Sequence, residues 1–204
     1  MTRVHLAAST RALVSGAICL AILAGMIVGH AWPLWTGRTI VMGATVHYTG
    51  RSAPGEYVGI STPADVLRTG PAAPGSTVSA TEVRVAGPWW EPIAGRREGF
   101  DRRLRGTTVY IQLEPSAGGE YVPVSVSRAP VDGALNLRGI IAQPSGPQLI
   151  HVEYGLDAFY MQEGQAEKVE KASRDKRRVQ IEVAIASSGR ARIRRLLVDD
   201  VPAG

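Results

Sequence analysis

Acidic and aromatic residues are interspersed between residues 153 and 164, and side chains of these types could carry chemistry. The acids and rings of this segment are Glu153, Tyr154, Asp157, Phe159, Tyr160 and Glu163. Carboxylates beside rings can bind a sugar or a cation, and two carboxylates can act as an acid–base pair. The same residues could instead form a corner between a sheet and a helix, with rings in the core and carboxylates at turns. Nothing in the sequence fixes the distance between the carboxylates, so we favour the structural corner.

Arginines form two further groups that could contact anionic lipid headgroups or an acidic patch on a partner protein. The first group lies within residues 96–105. The second comprises Arg190, Arg192 and Arg194, which the period of a strand places on one face, with Arg195 opposite. Either group could also be a solvated face.

A third candidate is the motif Gly55-Glu56-Tyr57, which follows a proline and precedes Ile60. Glycine suits a tight turn or a close backbone approach. Glu56 could accept backbone N–H bonds across that turn, and Tyr57 would enter a strand with a buried ring and a polar tip. Alternatively, Glu56 and Tyr57 form a polar surface that docks a partner or ligand.

The sequence carries no recognisable enzyme signature. One cysteine, Cys19, excludes a disulfide framework within the chain and any multi-cysteine metal site, and the four histidines are scattered. The chain has no nucleophile elbow, phosphate-binding loop or dinucleotide fingerprint. We therefore predict a protein that is not an enzyme, with no catalytic residue, cofactor or metal.

Composition favours a β-rich domain over a helical bundle. The 204 residues include 23 Gly and 13 Pro, while aromatic residues make up 6%. The formal net charge is +5, which is weak for a nucleic-acid-binding protein, so we expect no nucleic-acid partner.

Residues 12–35 form a long uncharged segment that ends in Trp32 and Trp35. A bilayer core about 30 Å thick needs about 20 helical residues, and tryptophan favours the headgroup level. Arg3 and Arg11 precede the segment, so the positive-inside rule places residues 1–11 in the cytoplasm. We predict a single-pass protein of the cell (inner or plasma) membrane, with an extracytoplasmic domain over residues 38–204. The alternative is a cleaved signal peptide, which would also export that domain.

Strand patterns dominate the exported part. Strands are predicted over 39–48 and 55–60, and three hairpins pair the segments 107–114 with 121–127, 136–143 with 148–154, and 178–185 with 191–199. Val122, Val124 and Val126 are predicted to face the core, and Pro123 predicts an edge or a bulge.

One short surface helix is predicted over residues 165–177. Residues 63–99, rich in Pro, Gly and Ala, predict a long excursion from the sheet with one strand at 77–86. We favour a flexible surface loop, and the alternative makes Trp89-Trp90 an exposed apolar tip that contacts the membrane or a partner. The predicted fold is mainly β, an antiparallel β-sandwich or barrel-like domain after a transmembrane helix.

The order of these segments resembles the GDYXXLXY family of membrane-anchored bacterial proteins. Gly55 and Tyr57 match the motif, Glu56 and Ile60 are conservative replacements, and Thr62 stands where tyrosine is expected. Further similar blocks are TTVYIQLEP, EYVPVSVS, LRG (137–139), the pattern from Tyr154 to Gly164, and IEVAIASSGRARIRRLLVDD. The resemblance implies one anchor, one exported β domain and the company of a polytopic membrane protein. It implies no activity.

We therefore expect an extracytoplasmic interaction module that is accessory to an integral membrane protein. The alternatives are a small-molecule or glycan-binding module at residues 153–163 and a hydrolase with paired carboxylates.

Overall fold

The structure is a computed structural model, and it describes residues 2–52, 55–69, 80–85, 104–146 and 149–203. In chain order its elements are α1 (Thr2–Thr36), β1 (Arg38–Gly43), β2 (Thr45–Ser52), β3 (Gly55–Ser61), β4 (Val66–Arg68), β5 (Thr81–Glu82), β6 (Arg84–Val85), β7 (Thr108–Pro115), β8 (Tyr121–Ser127), β9 (Leu135–Gly146), β10 (Leu149–Glu153), β11 (Ala158–Met161), α2 (Gln165–Arg174), β12 (Val179–Ile185), β13 (Ala191–Val198) and β14 (Val201–Pro202).

The N-terminal helix α1 keeps its apolar side chains on the outside. Its window Ala12–Gly29 has a mean hydropathy of 2.4, and none of the window is buried within the structure. In the described part of the chain, α1 is the one helix long and apolar enough to cross a bilayer. A signal sequence has the same length and apolar composition. The helix includes Pro33 and ends at Thr36, one residue beyond the predicted segment 12–35.

Three sheets dominate the described chain after α1, and they confirm the predicted β-rich fold. Their strand orders are β1-β12-β13-β14, β5-β4-β10-β9-β7-β8-β6 and β11-β3-β2. Pairing is antiparallel throughout, except for the two-residue parallel pairs β4–β5 and β6–β8. The three predicted hairpins are present as β7–β8, β9–β10 and β12–β13. Alternation along β7 buries Val109, Ile111 and Leu113, as predicted.

The strand predicted over residues 39–48 is in fact two strands. β1 pairs with β12 and β2 pairs with β3, so the chain passes from one sheet to another at Ala44. The Ala44 N–H donates a hydrogen bond of 3.0 Å to the Val179 carbonyl, which holds this corner. The β-branched run predicted one extended strand, and the pairing of β1 with the distant strand β12 divides it.

The side-chain phase predicted for β8 is wrong over its first half. Gln112 and Leu113 of β7 pair with Ser125 and Pro123, which leaves Val124 as an extra residue in a bulge. Pro123 and Ser125 therefore face inward, while Val122 and Val124 are only half-buried. The bulge that Pro123 predicted is confirmed.

The core lies between the sheets and the short helix α2. Its largest fully buried side chains include Met42, Leu67, Ile111, Leu137, Ile141, Ile150 and Ile181. Helix α2 ends three residues earlier than predicted. Most of its residues are polar, but Ala166, Val169 and Ala172 form a buried stripe along one face.

Much of the predicted excursion lies outside the described residues. The strand expected at residues 77–86 is present in part, as the short strands β5 and β6. Trp89-Trp90 and the arginines of residues 96–103 lie outside the described residues, whereas Arg105 is exposed.

Candidate functional site

Glu56 turns inward and caps the N-terminus of α2. Its side chain is 7% exposed, and its Oε2 accepts hydrogen bonds from the backbone N–H groups of Gly164 (2.8 Å) and Ala166 (3.3 Å). The N-cap residue itself, Gly164, is left-handed with φ 79° and supplies no side-chain cap. A carboxylate from strand β3 therefore satisfies helix donors that the local sequence leaves open, and its charge suits the positive end of the helix dipole.

The residues around Glu56 follow the alternation of β3. Gly55 has φ 142°, and a Cβ there would lie 3.1 Å from the Met161 carbonyl oxygen, so the strand starts with a close approach to β11. Ile60 is 5% exposed and belongs to the core. Thr62 is also buried, and its N–H and hydroxyl each donate a 2.8 Å hydrogen bond to the Asp65 carboxylate. The motif residues that face inward, Glu56, Ile60 and Thr62, are therefore held by contacts within the fold.

Tyr57 lies on the other face of β3, where it contacts Tyr160. The two residues are direct cross-strand partners, and their ring centroids are 5.9 Å apart. A Cβ at Gly50 would lie 2.5 Å from the Tyr57 ring, so the absence of a side chain at Gly50 lets the ring lie over β2. Tyr160 remains 62% exposed. We call Tyr57 and Tyr160 the tyrosine patch.

The structure divides the residues predicted to share a face over 153–163, because Glu153, Tyr154 and Asp157 line one pocket while Tyr160 contacts Tyr57. Tyr154 is buried, and its hydroxyl donates a 2.7 Å hydrogen bond to the Ala64 carbonyl. Tyr160 belongs to the tyrosine patch, while Asp157 and Glu163 are exposed. The corner interpretation describes Tyr154 well, and no common face of Tyr154 and Tyr160 is formed for a ligand.

A pocket of about 310 Å³ lies beside Tyr154, with Asp65 and Asp157 in its lining. Burial raises the pKa of the Asp65 carboxyl, and its hydrogen bonds to Thr62 oppose that rise. Burial, and secondarily the charge of Asp65, raises the pKa of the Tyr154 phenol well above its usual value. Among the described residues, no group of three or more histidine, cysteine or acidic side chains could hold a metal ion.

A larger cavity of about 660 Å³ lies between α1 and the sheets. We call it the arginine groove, and its lining includes Gly25, Met26, Gly29, Pro33, Arg138, Gly139, Glu153, Tyr154, Gly155, Arg190 and Arg192. One wall is a helix surface of small and apolar residues. The other wall carries three guanidinium groups. Two of the three sequence-predicted arginines, Arg190 and Arg192, are therefore brought together with a third that was not predicted.

Arg138, the residue missed by sequence reasoning, is placed by the turn between β12 and β13. Its N–H donates a 2.8 Å hydrogen bond to the Gly189 carbonyl. A Cβ at Gly189 would lie 2.9 Å from the Cβ of Arg138, so only glycine lets the turn approach β9 this closely. Arg190 ends the same turn, beside Arg138. The LRG block was the sole sequence signal for Arg138, and it carries no hint of this contact.

Two glycines shape the floor of the groove. A Cβ at Gly139 would lie 2.7 Å from Cε1 of Tyr154, so the Tyr154 ring packs directly on the β9 backbone. A Cβ at Gly155 would lie 3.6 Å from Nη1 of Arg192, which places that guanidinium against the chain after β10.

Arg194 lies apart from the groove. The pairing of Glu182 with Arg195 and of Val183 with Ile193 leaves Arg194 in a bulge, which interrupts the predicted period-two row. Arg194 Nη1 donates a 2.9 Å hydrogen bond to the Thr39 hydroxyl, and Arg195 pairs with Glu182 at 2.7 Å.

Comparison with known protein families gives a match that covers most of the chain. A family model described as "GDYXXLXY protein" matches residues 19–196, which include the Glu56 motif, the tyrosine patch and the arginine groove. No curated protein and no solved structure matches the chain.

Proposed function

The chain belongs to the GDYXXLXY protein family, and we propose that it is a membrane-anchored interaction module that associates with an integral membrane protein. In this proposal α1 is a retained single-pass anchor and the β domain is extracytoplasmic. The basic residues Arg3 and Arg11 before the apolar window, against Arg38 as the first one after it, support this orientation.

The observation that carries the proposal is the direct junction between α1 and the sheet. Only Gly37 separates Thr36 from Arg38, the first residue of β1. The Gly37 N–H donates a 2.9 Å hydrogen bond to the Pro33 carbonyl, and a Cβ at Gly37 would lie 2.9 Å from the Ile185 carbonyl carbon. Helix and domain are therefore joined without a flexible linker. An anchor joined in this way holds the domain close to the bilayer, within reach of proteins that share the membrane.

The tyrosine patch is the contact surface that we propose for the partner. Tyrosine is enriched at protein interfaces because one side chain supplies a large apolar area and a polar tip. Tyr160 offers that combination, and its exposed ring packs against the ring of Tyr57.

The test is a mild-detergent pull-down of the tagged full-length chain from its native membrane, read by mass spectrometry. We expect one polytopic protein in near-stoichiometric amount, and several-fold less of it with Tyr160→Ala. Val201→Ala is the matched control, because Val201 is 63% exposed and lies outside the patch.

Two results would contradict the proposal. Release of the chain from the membrane by alkaline carbonate would show that α1 is not a membrane anchor. Recovery of the chain alone, still in the membrane, would show that it has no stable partner protein.

A further inference from the structure

We infer that the arginine groove binds the phosphate of an anionic phospholipid headgroup, in the leaflet beside the domain. The inference rests on the proposed membrane anchoring, and it adds a ligand class to the function proposed above.

The groove combines the two surfaces that a phospholipid presents. Gly25, Met26 and Gly29 belong to the last turns of α1's apolar window, so this wall suits acyl chains. Arg138 and Arg190 stand opposite, where they can meet a phosphate. An apolar wall that faces a cationic wall is the arrangement expected at the boundary between hydrocarbon and headgroups.

The position of the groove along α1 agrees with that boundary. Trp32 is 51% exposed and Trp35 is 68% exposed, one to two turns beyond Gly29. Tryptophan rings favour the headgroup level. The arginines that face Gly29 and Pro33 are therefore held near the lipid phosphates when the apolar window crosses the bilayer.

The charge of the groove is unbalanced. Glu153 is its one acidic lining residue, against the guanidinium groups of Arg138, Arg190 and Arg192. Four described arginines outside the groove do have an acidic partner, namely Arg174, Arg177, Arg178 and Arg195. No carboxylate among the described residues lies within ion-pair distance of Arg138 or Arg190. A planar guanidinium can donate two parallel hydrogen bonds to a phosphate, which makes these two side chains suited to that ligand.

The size of the groove also suits a headgroup. Its volume of about 660 Å³ is within the range of small-molecule sites. Gly25 and Gly29 are one helical turn apart, and a Cβ at either would meet no atom within 4 Å, so the helix wall leaves room for a chain.

The experiment is native mass spectrometry of the full-length chain released from vesicles of equal phosphatidylglycerol and phosphatidylcholine. We expect retained phosphatidylglycerol on the unmodified protein and at least about tenfold less on the double variant Arg138→Gln/Arg190→Gln, because each arginine contributes a separate charged contact. Arg174→Gln is the matched control, since it removes one exposed arginine on α2, outside the groove lining. A melting curve for each variant shows whether it is folded.

Three outcomes would overturn the inference. One is equal retention of the two lipids, and another is unchanged retention by a folded double variant. The third is displacement of phosphatidylglycerol by millimolar inorganic phosphate together with equal phosphate binding in lipid-free detergent, which would make the groove a site for soluble phosphate.

The same samples separate this inference from the proposed function. Release of the chain by alkaline carbonate overturns both. Arginine-dependent retention of phosphatidylglycerol without a co-purified polytopic protein supports the lipid site and contradicts the partner.

Discussion

The Glu56 carboxylate accepts a 2.8 Å hydrogen bond from the backbone N–H of Gly164, 108 residues further along the chain. One acidic residue of β3 thereby fixes where α2 begins. The same carboxylate also receives the Ala166 N–H, so its removal leaves two helix donors without this acceptor.

Glu56→Ala should lower the free energy of unfolding by about 1–3 kcal/mol, because it removes a buried acceptor from two backbone donors. Glu56→Gln keeps an oxygen at the same place and should cost less. The measurement is denaturant unfolding of the full-length chain in detergent, with hydrogen exchange of the first turn of α2. Glu163→Gln changes an exposed acid at the same end of the helix, and should cost less than about 0.5 kcal/mol. Equal stability of Glu56→Ala and the unmodified chain would contradict the capping role.

Local patterns predicted the hairpins, since each depends on alternation and on a turn close in sequence, such as the one at Gly189. Long-range pairing decided the rest. The corner at Ala44 arises because β1 pairs with the distant strand β12. The bulges at Val124 and Arg194 lie inside predicted hairpins, where alternation does not set the exact register, and only the first was indicated locally, by Pro123. The arginine groove shows the same difference between local and long-range signals. Arg190 was visible in a basic run, whereas Arg138 joins it only through the approach of β9 to a distant turn.

Gly139→Ala should destabilise the protein by about 1–3 kcal/mol, because the new methyl group would overlap the Tyr154 ring and Val152. Gly118→Ala is the control, since the nearest atom to its Cβ would be Ser116 Oγ at 3.8 Å. Unfolding free energies of both variants check the prediction. If Gly139→Ala were as stable as Gly118→Ala, Tyr154 would not be packed on the β9 backbone.

Tyr154 should make the protein sensitive to alkali. Its phenol has a raised pKa because the neutral form is buried, so its contribution to stability is complete below about pH 10 and is lost as the pH rises through the folded-state value. Tyr154→Phe should therefore lose less stability than the unmodified chain above about pH 10. At neutral pH the same variant should be less stable by about 1–3 kcal/mol, because the Ala64 carbonyl loses its donor.

The measurement is unfolding free energy from neutral to alkaline pH, with absorbance of the phenolate as a second readout. Tyr160→Phe, at an exposed ring, should change the free energy at neutral pH by less than about 0.5 kcal/mol. A constant difference between Tyr154→Phe and the unmodified chain at every pH would show that Tyr154 does not control the alkaline loss.

Gly37→Ala should loosen the junction between α1 and the domain. The added methyl group would overlap the Pro33 carbonyl oxygen and lie 2.9 Å from the Ile185 carbonyl carbon, and both neighbours are backbone. Either the helix shifts or the sheet does, at a cost of about 1–3 kcal/mol. Spin labels at Met26 and Ser188, in a Cys19→Ser background, report the separation of helix and domain across the arginine groove. We expect a broader distance distribution for Gly37→Ala than for Gly25→Ala, whose added methyl group would meet no atom within 4 Å. Equally narrow distributions would mean that the close contact at Gly37 does not hold helix and sheet together, and the direct junction would lose its place as the basis of the proposed function.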